Sequence, residues 1–252
     1  MSLSSLRQLL SSSDLLAFNV LNRDRWIAQQ AAQIPAGAKV LDVGAGSAPY
    51  RSLFAHCDYK TQDFLQLKDE QLRFGAYAPI DFVSDARSIP VPDGSFDAVI
   101  CTEVLEHVPE PIAVVREIGR IVAPGGRLIL TAPLGSGIHQ EPYHFYGGYT
   151  PYWYERFLSD AGFEKIAVEP NEGTFRHIAQ ETIRFARMSI PFRLKAPWYF
   201  SLLWLPFWLA LAPVLAIGVP LAAKFLEPLD AERRHTVGYH VSAVRKDDGA
   251  RR

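Results

Sequence analysis

A handful of acids, glycines and histidines are spaced as chemistry requires. Asp42 sits in a short apolar run, Lys39–Val43, followed at once by Gly44-Ala45-Gly46. A run so nearly free of polar alternation reads as a strand inside a parallel sheet. The two glycines let the chain turn sharply and bring a ligand against peptide N–H groups with no Cβ in the way. Pro49 suits the first turn of a following helix. A dinucleotide fingerprint, Gly-x-Gly-x-x-Gly, would set those amides against a pyrophosphate, but Pro49 stands where its third glycine belongs. An acid just before the loop also repels phosphate. Asp42 is better suited to orienting the loop or accepting a hydrogen bond from an ammonium group.

A second acid ends the stretch that reads as the next strand, Cys57–Asp63. A carboxylate at the tip of the strand beside a glycine loop can accept both hydrogen bonds of a ribose diol. An ordinary strand-end turn is the competing reading of Asp63. Farther on, residues 132–150 combine Gly135, Gly137, His139, Tyr143, His144 and Tyr146. Glycines give such a loop mobility, and its aromatics and imidazoles give an apolar wall carrying proton acceptors. His139 and His144 are the candidate bases; a hydrogen-bonded structural imidazole is the competing reading of each.

The elements that must position these groups follow in order. Helical spacing runs from about residue 3 to 34, a segment able to cover a cleft, with Arg23 and Arg25 read as solvated helix charges. A helix over Arg51–His56 follows the glycine loop, then the strand ending at Asp63, an irregular polar stretch from Leu65 to Pro79, and a third strand with its exit loop over Ile80–Ala86. Phe96–Cys101 is a fourth strand, leading into Thr102-Glu103-Val104-Leu105-Glu106-His107-Val108. A helix opens near Pro111, Ala123-Pro124-Gly125-Gly126 ends it, and Arg127–Thr131 is a fifth strand. A capped helix from Thr150 to Gly162, a sixth strand at Phe163–Glu169 and a last strand at Thr236–Val244 complete the pattern.

Hydrophobic-Asp-Val-Gly-Ala-Gly, Asp63 at a strand end, the exit Asp85-Ala86, Phe-Asp-x-Val with Val-Leu-Glu-His-Val, and the Pro-Gly-Gly turn occur in this order within Val40–Pro133. Together they resemble the class I S-adenosylmethionine-dependent methyltransferases. The resemblance implies an α/β fold: a Rossmann-like, seven-stranded, mostly parallel sheet with helices on both faces and an antiparallel last strand. It implies S-adenosylmethionine as cofactor, with a cleft formed by Asp42, Gly44, Ala45, Gly46, Asp63, Asp85, Ala86 and Glu103. In the family the acid matching Asp85 faces the adenine amino group, and the N–H matching Ala86 meets a ring nitrogen. His107 matches a position that shapes the acceptor side, where Tyr143 and Tyr146 are the further pocket candidates. Ala48 departs from many members, which carry a glycine there. No metal is expected, because no His, Asp or Glu pair shows ligand spacing with a second signal.

In the resembled fold the last two strands form a hairpin. Here a long insertion divides them. Its lead-in is basic (Arg176, Arg184, Arg187, Arg193 and Lys195 against Glu181), and Ala196–Ala223 contains no charged residue. About 20 residues suffice to span a bilayer, yet strands of one sheet require the chain to return to the side it left. Pro206, Pro213 and Pro220 also interrupt a helix. The expectation is a shallow helical hairpin in a membrane interface, with aromatics at headgroup depth and the basic lead-in on anionic lipid. Burial in a homodimer is the alternative use of residues 196–223. The implied organisation is a cover over 1–35, a core over 36–174 and 231–246, and an insertion over 175–230.

Composition narrows the rest. A 252-residue chain can bury one α/β domain with an elaboration, and a net charge of −1 gives no electrostatic case for nucleic acid. Cys57 and Cys101 read as reduced residues, and the start of the chain shows no signal-peptide pattern. These features suit a cytoplasmic protein, peripheral on the inner face of a membrane. The expected activity is methyl transfer to a small or lipid-linked, amphiphilic acceptor. The alternative is a membrane-docked module that binds the donor without transferring it.

Overall fold

The structure, a computed structural model, describes residues 14–247. Its strands are β1 (Lys39–Val43), β2 (Asp58–Asp63), β3 (Phe82–Val83), β4 (Phe96–Thr102), β5 (Val122–Pro133), β6 (Phe163–Pro170) and β7 (Gly238–Arg245). They form one seven-stranded sheet in the order β3-β2-β1-β4-β5-β7-β6. β1 pairs in parallel with β2 and β4, β2 with β3, and β4 with β5, whereas β7 runs antiparallel to β5. The helices are α1 (Phe18–Ala31), α2 (Pro111–Ile121), α3 (Pro151–Asp160), α4 (Thr174–Met188), α5 (Trp198–Pro213) and α6 (Val219–Leu226).

Side-chain alternation shows why the central strands are largely apolar on both faces. Leu41, Val43, Val99, Cys101, Leu128 and Leu130 face a core completed by α2 and α3. Their neighbours Val40, Ala98, Ile100 and Ile129 face a second cluster with Trp26, Ile27 and Ala31 of α1. Both faces are covered, so a polar residue on β1 or β4 needs a particular reason to be there. Each fully buried Leu, Ile or Val contributes roughly 1.5–3 kcal/mol to holding the layers together.

The chain order places the cleft. From β1 the sheet grows through β2 to β3 on one side and through β4 to β5 on the other. The carboxyl ends of β1 and β4 therefore flank a topological switch point, where open α/β sheets bind ligands.

Several elements differ from the sequence expectation. The helix after the glycine loop shrinks to one tight turn, Arg51–Phe54, and the third strand to Phe82–Val83. The fifth strand instead grows. Val122 already pairs with Phe96, and the Pro-Gly-Gly stretch is absorbed as an irregularity in the ladder. In the amino-terminal segment the described helix is Phe18–Ala31, and the part expected before residue 14 lies outside the described residues.

The chain divides into two compact units. Arg23–Glu169 and the segment from Gly238 carry the sheet; residues up to Asn22 and Pro170–Val237 form the other. The expected amino-terminal cover is thus shared between them, its boundary falling inside α1. In the second unit, Trp204 and Trp208 of α5 donate their indole N–H groups to the carbonyls of Ser189 (2.8 Å) and Ala186 (3.0 Å) at the end of α4. Residues 198–229 form one continuous helical rod, which corrects the hairpin expected within 196–223. After Pro213 the missing donor is absorbed by one wider turn, Val214–Gly218, and the helix resumes. A widened turn restores the backbone bonding that a proline removes, so the axis continues rather than reversing.

Candidate cofactor and acceptor site

The glycine loop is tied to β2 rather than left bare. Gly44 N–H donates to Gln62 Oε1 (3.3 Å), Ala45 N–H to the Gln62 carbonyl (3.0 Å) and Gly46 N–H to Asp63 Oδ2 (2.9 Å). The expectation of free amides is thereby corrected: the three donors that would cradle a phosphate are spent inside the protein. Gly44 adopts φ +68°, and a Cβ there would lie 2.5 Å from Val104 Cγ2. Glycine is required because the loop presses on the exit of β4.

Asp63 is buried, and its second oxygen accepts from Leu65 N–H (3.0 Å). Each carboxylate oxygen keeps a further lone pair. Asp63 thus joins the glycine loop to the 64–79 segment, which packs back over that loop: Ala78 N–H donates to the Gly46 carbonyl (2.9 Å), and Ser47 Oγ–H to the Ala76 carbonyl (2.7 Å). The sequence shows this segment only as irregular and polar.

Asp42 is fully enclosed and accepts a short hydrogen bond from the Tyr59 hydroxyl. Burial raises its pKa to about 7, a rise that the Tyr59 bond opposes. It faces β2 and secures the strand from behind the loop. Asp85 is engaged by its near neighbour Arg87, whose Nε and Nη2 lie 3.1 and 2.9 Å from its two oxygens, and this holds its pKa below the ordinary value. Ala86 is buried beside it.

Glu103, at φ +53°, is the hinge between β4 and the turn Leu105–His107. Its Oε1 accepts from Thr131 Oγ1 (2.9 Å), and its Oε2 lies 3.0 Å from Arg23 Nη1. Arg23 is therefore not the solvated charge expected of it. Its side chain is only 13% exposed, and its buried Nε has no hydrogen-bond partner among the described residues. Nearby, Asp24 accepts from the Tyr50 hydroxyl (3.0 Å) and pairs with Arg73 (2.6 Å), which fastens the 64–79 segment to α1. Helical position alone could not mark Arg23, because the face it occupies is set by how α1 meets the sheet.

On the acceptor side the imidazoles converge. Ring centroids of His107 and His139, and of His139 and His144, are 4.7 Å apart; those of His107 and His144 are 5.7 Å apart. His107 Nδ1 donates to the Tyr143 carbonyl, and burial lowers its pKa to about 4. His139 Nδ1 donates to the Gly137 carbonyl (2.9 Å); His144 Nε2 and Ser136 Oγ are 3.1 Å apart. Burial and the neighbouring His139 depress the His144 pKa. Tyr143 donates to Gln66 Oε1 (2.8 Å) and packs edge-on against Phe64, whereas the Tyr146 hydroxyl is turned to the Pro109 carbonyl (3.0 Å). Gln140 and Gln71 complete a clasp: Gln140 Nε2 donates to the Gln71 carbonyl (2.9 Å), and Gln71 Nε2 to the Glu141 carbonyl (3.0 Å). The two long loops meet over the cleft.

Residues 41–130 match the family described as a methyltransferase domain. That segment, from β1 through most of β5, is thus similar to a methyltransferase domain. Ubiquinone biosynthesis O-methyltransferase from Xanthomonas axonopodis pv. citri is 36% identical over 105 residues, covering 38% of this chain and 44% of that protein. The Pseudomonas aeruginosa enzyme of the same name is 34% identical over 119 residues, covering 43% and 49%. The chain thus spans less than half the length of the curated relatives it matches. Among solved structures, an S-adenosylmethionine-dependent methyltransferase from Archaeoglobus fulgidus superposes with a TM-score of 0.53 at 15% identity, covering 90% of this chain and 94% of that one. The [4+2]-cyclase SpnF gives 0.53 at 20% identity over 89% and 81%. These likenesses establish the fold.

The cleft also fits S-adenosylmethionine chemically. A buried Arg23 with an unpartnered Nε beside Glu103 suits a zwitterionic amino-acid tail, a carboxylate with an ammonium. Spent loop amides disfavour a pyrophosphate in its place.

Proposed function

We propose that the protein transfers a methyl group from S-adenosylmethionine to an amphiphilic, lipid-linked acceptor at a membrane surface. In this reading Arg23 and Glu103 hold the methionine end of the donor, the Gly44–Gly46 bend admits its centre, Asp63 accepts from the ribose diol, and Asp85 with Ala86 borders the adenine. The donor supplies a methyl group already activated by its sulfonium. The chain's own work is to align the acceptor, exclude water and take up a proton. His144 stands on the acceptor loop for that last task, and the clasp of Gln71 and Gln140 closes the cleft against water.

The observation that carries the membrane reading is an apolar helix left in solvent. Tyr199, Leu203, Phe207, Val214, Ile217, Leu221 and Phe225 recur at helical spacing on the 198–229 rod and are 53–81% exposed. Such a stripe, larger than scattered surface apolars, needs a partner. Arg184, Arg187, Arg193 and Lys195 are exposed beside it in the chain, as a headgroup contact requires. Arg176 is withdrawn from that role: it is 2% exposed, stacks 4.3 Å over Phe18 and donates to the Asp14 carbonyl (2.6 Å). The names of the relatives, which concern a quinone carrying a lipid tail, support the same acceptor class.

Labelled methyl transfer tests the proposal. Protein, labelled donor and either the lipid or the soluble fraction of a bacterial extract are combined, with Asp63→Asn as control. Label entering the lipid fraction is expected. Label confined to the soluble fraction would remove the acceptor class, and donor binding without transfer to either would favour a binding module.

A further inference from the structure

We propose that Glu106, His107 and His139 form a site for one divalent first-row transition cation of the Zn2+ type, on the acceptor side of the domain. One ligand atom from each lies within 4.8 Å of the other two. Glu106 and His107 belong to the turn after β4, and His139 to the loop after β5. The site therefore exists only once the two strands are paired.

Both imidazoles are prepared as ligands. A carbonyl can only accept, so His107 Nδ1, on the Tyr143 carbonyl, and His139 Nδ1, on the Gly137 carbonyl, carry the hydrogens. The tautomer that results leaves each Nε2 with a free lone pair. Metal-binding histidines characteristically spend their other nitrogen in this way. His107 Nε2 is 3.7 Å from Glu106 Oε1, too far for a hydrogen bond between them and close enough for both to reach one ion.

Glu106 supplies the independent observation. It is 1% exposed, and its Oε2 is buried with no hydrogen-bond partner among the described residues. A buried carboxylate oxygen without a donor is costly, and a cation beside it removes the cost. Two imidazoles and one carboxylate make a donor set suited to a borderline cation that keeps an open position. Zinc–ligand bonds of about 2.0–2.1 Å put neighbouring ligand atoms about 3.4 Å apart, so the widest pair must close by up to about 1.4 Å. His139, exposed and preceded by Gly135 and Gly137, is the member able to move. The open position would face the acceptor, where a cation holds an oxygen and favours its ionised form. Cation binding itself does not rest on the methyl-transfer reading.

The test uses metal-stripped full-length protein titrated with Co2+ and then Zn2+. One Co2+ per chain is expected, with the intense visible absorption of four- or five-coordinate cobalt, and Zn2+ displaces it and raises the unfolding midpoint. His139→Ala removes a ligand from an exposed loop and is expected to weaken binding by more than the 10- to 100-fold typical of losing a ligand's supporting partner. Glu106→Gln, equal in size, is expected to do the same. His235→Ala, an exposed histidine elsewhere, leaves binding unchanged. Absent cobalt absorption, or affinity unmoved by His139→Ala, overturns the proposal. Calorimetry with S-adenosylmethionine on the stripped protein tests the donor site separately, so the two readings fail independently.

Discussion

Arg23 Nη1 lies 3.0 Å from Glu103 Oε2, joining the helix on one face of the sheet to the residue on which β4 turns out of it. Burial works against the guanidinium charge, but Glu103, Tyr50 and Asp24 more than offset this and raise its pKa. If the pair holds the donor's amino-acid tail, Arg23→Gln weakens S-adenosylmethionine binding by about 10- to 100-fold, the equivalent of one charge-assisted hydrogen bond. Calorimetry measures this. An unchanged affinity would leave the pair a purely structural tie between α1 and β4.

The Gly44 bend yields a prediction with its own rescue. Gly44→Ala forces a residue with a Cβ into the left-handed region, at about 1–2 kcal/mol, and drives that Cβ to 2.5 Å from Val104 Cγ2. We expect a loss of stability of roughly 2–3 kcal/mol in denaturant unfolding. Val104→Ala in the same chain should return the steric part while the backbone part remains. Additive losses in the double variant would mean that the two residues do not press on each other.

Asp42 gives a pH dependence of definite sign. Its folded pKa, about 7, exceeds the value near 4 of an unfolded aspartate. Between these values the folded protein holds a proton that the unfolded chain has lost, so stability falls as pH rises from about 4 to 7 and is level above that. The full effect is at most about 4 kcal/mol. Asp42→Asn cannot ionise and still accepts from Tyr59. Urea midpoints at pH 5 and pH 8 should therefore differ less in the variant than in the parent; an equal fall would place the titration elsewhere.

The apolar rod predicts a surface-specific defect. Replacing Leu203, Phe207 and Phe225 by serine should abolish sedimentation with anionic phospholipid vesicles while leaving donor affinity unchanged. Charge reversal at Arg187 and Arg193 should weaken vesicle binding most at low salt, because contacts with charged headgroups are screened. A parent protein that stays in the supernatant and forms a salt-resistant dimer would assign the stripe to a second copy of the chain.

Local pattern was enough for the sheet and for the glycine bend that follows its first strand. Val40, Leu41 and Val43 are apolar because both faces of their strand are covered, Gly44 is glycine because of a positive φ and a pressing valine, and Asp63 ends its strand where a loop must be fastened. Such constraints act within a few residues, so they leave a mark in the sequence itself. Tertiary pairing decided the rest. Arg23 meets Glu103 across 80 positions, His139 meets His107 across 32, and Gln140 meets Gln71 across 69. None of these pairs has a period or motif to announce it. The prolines of the insertion misled for a related reason: a proline removes one backbone bond, but whether the helix then breaks or widens by a turn depends on what packs beside it. Sequence fixes which groups exist and how the chain near them bends; only the closed sheet brings distant groups within bonding distance.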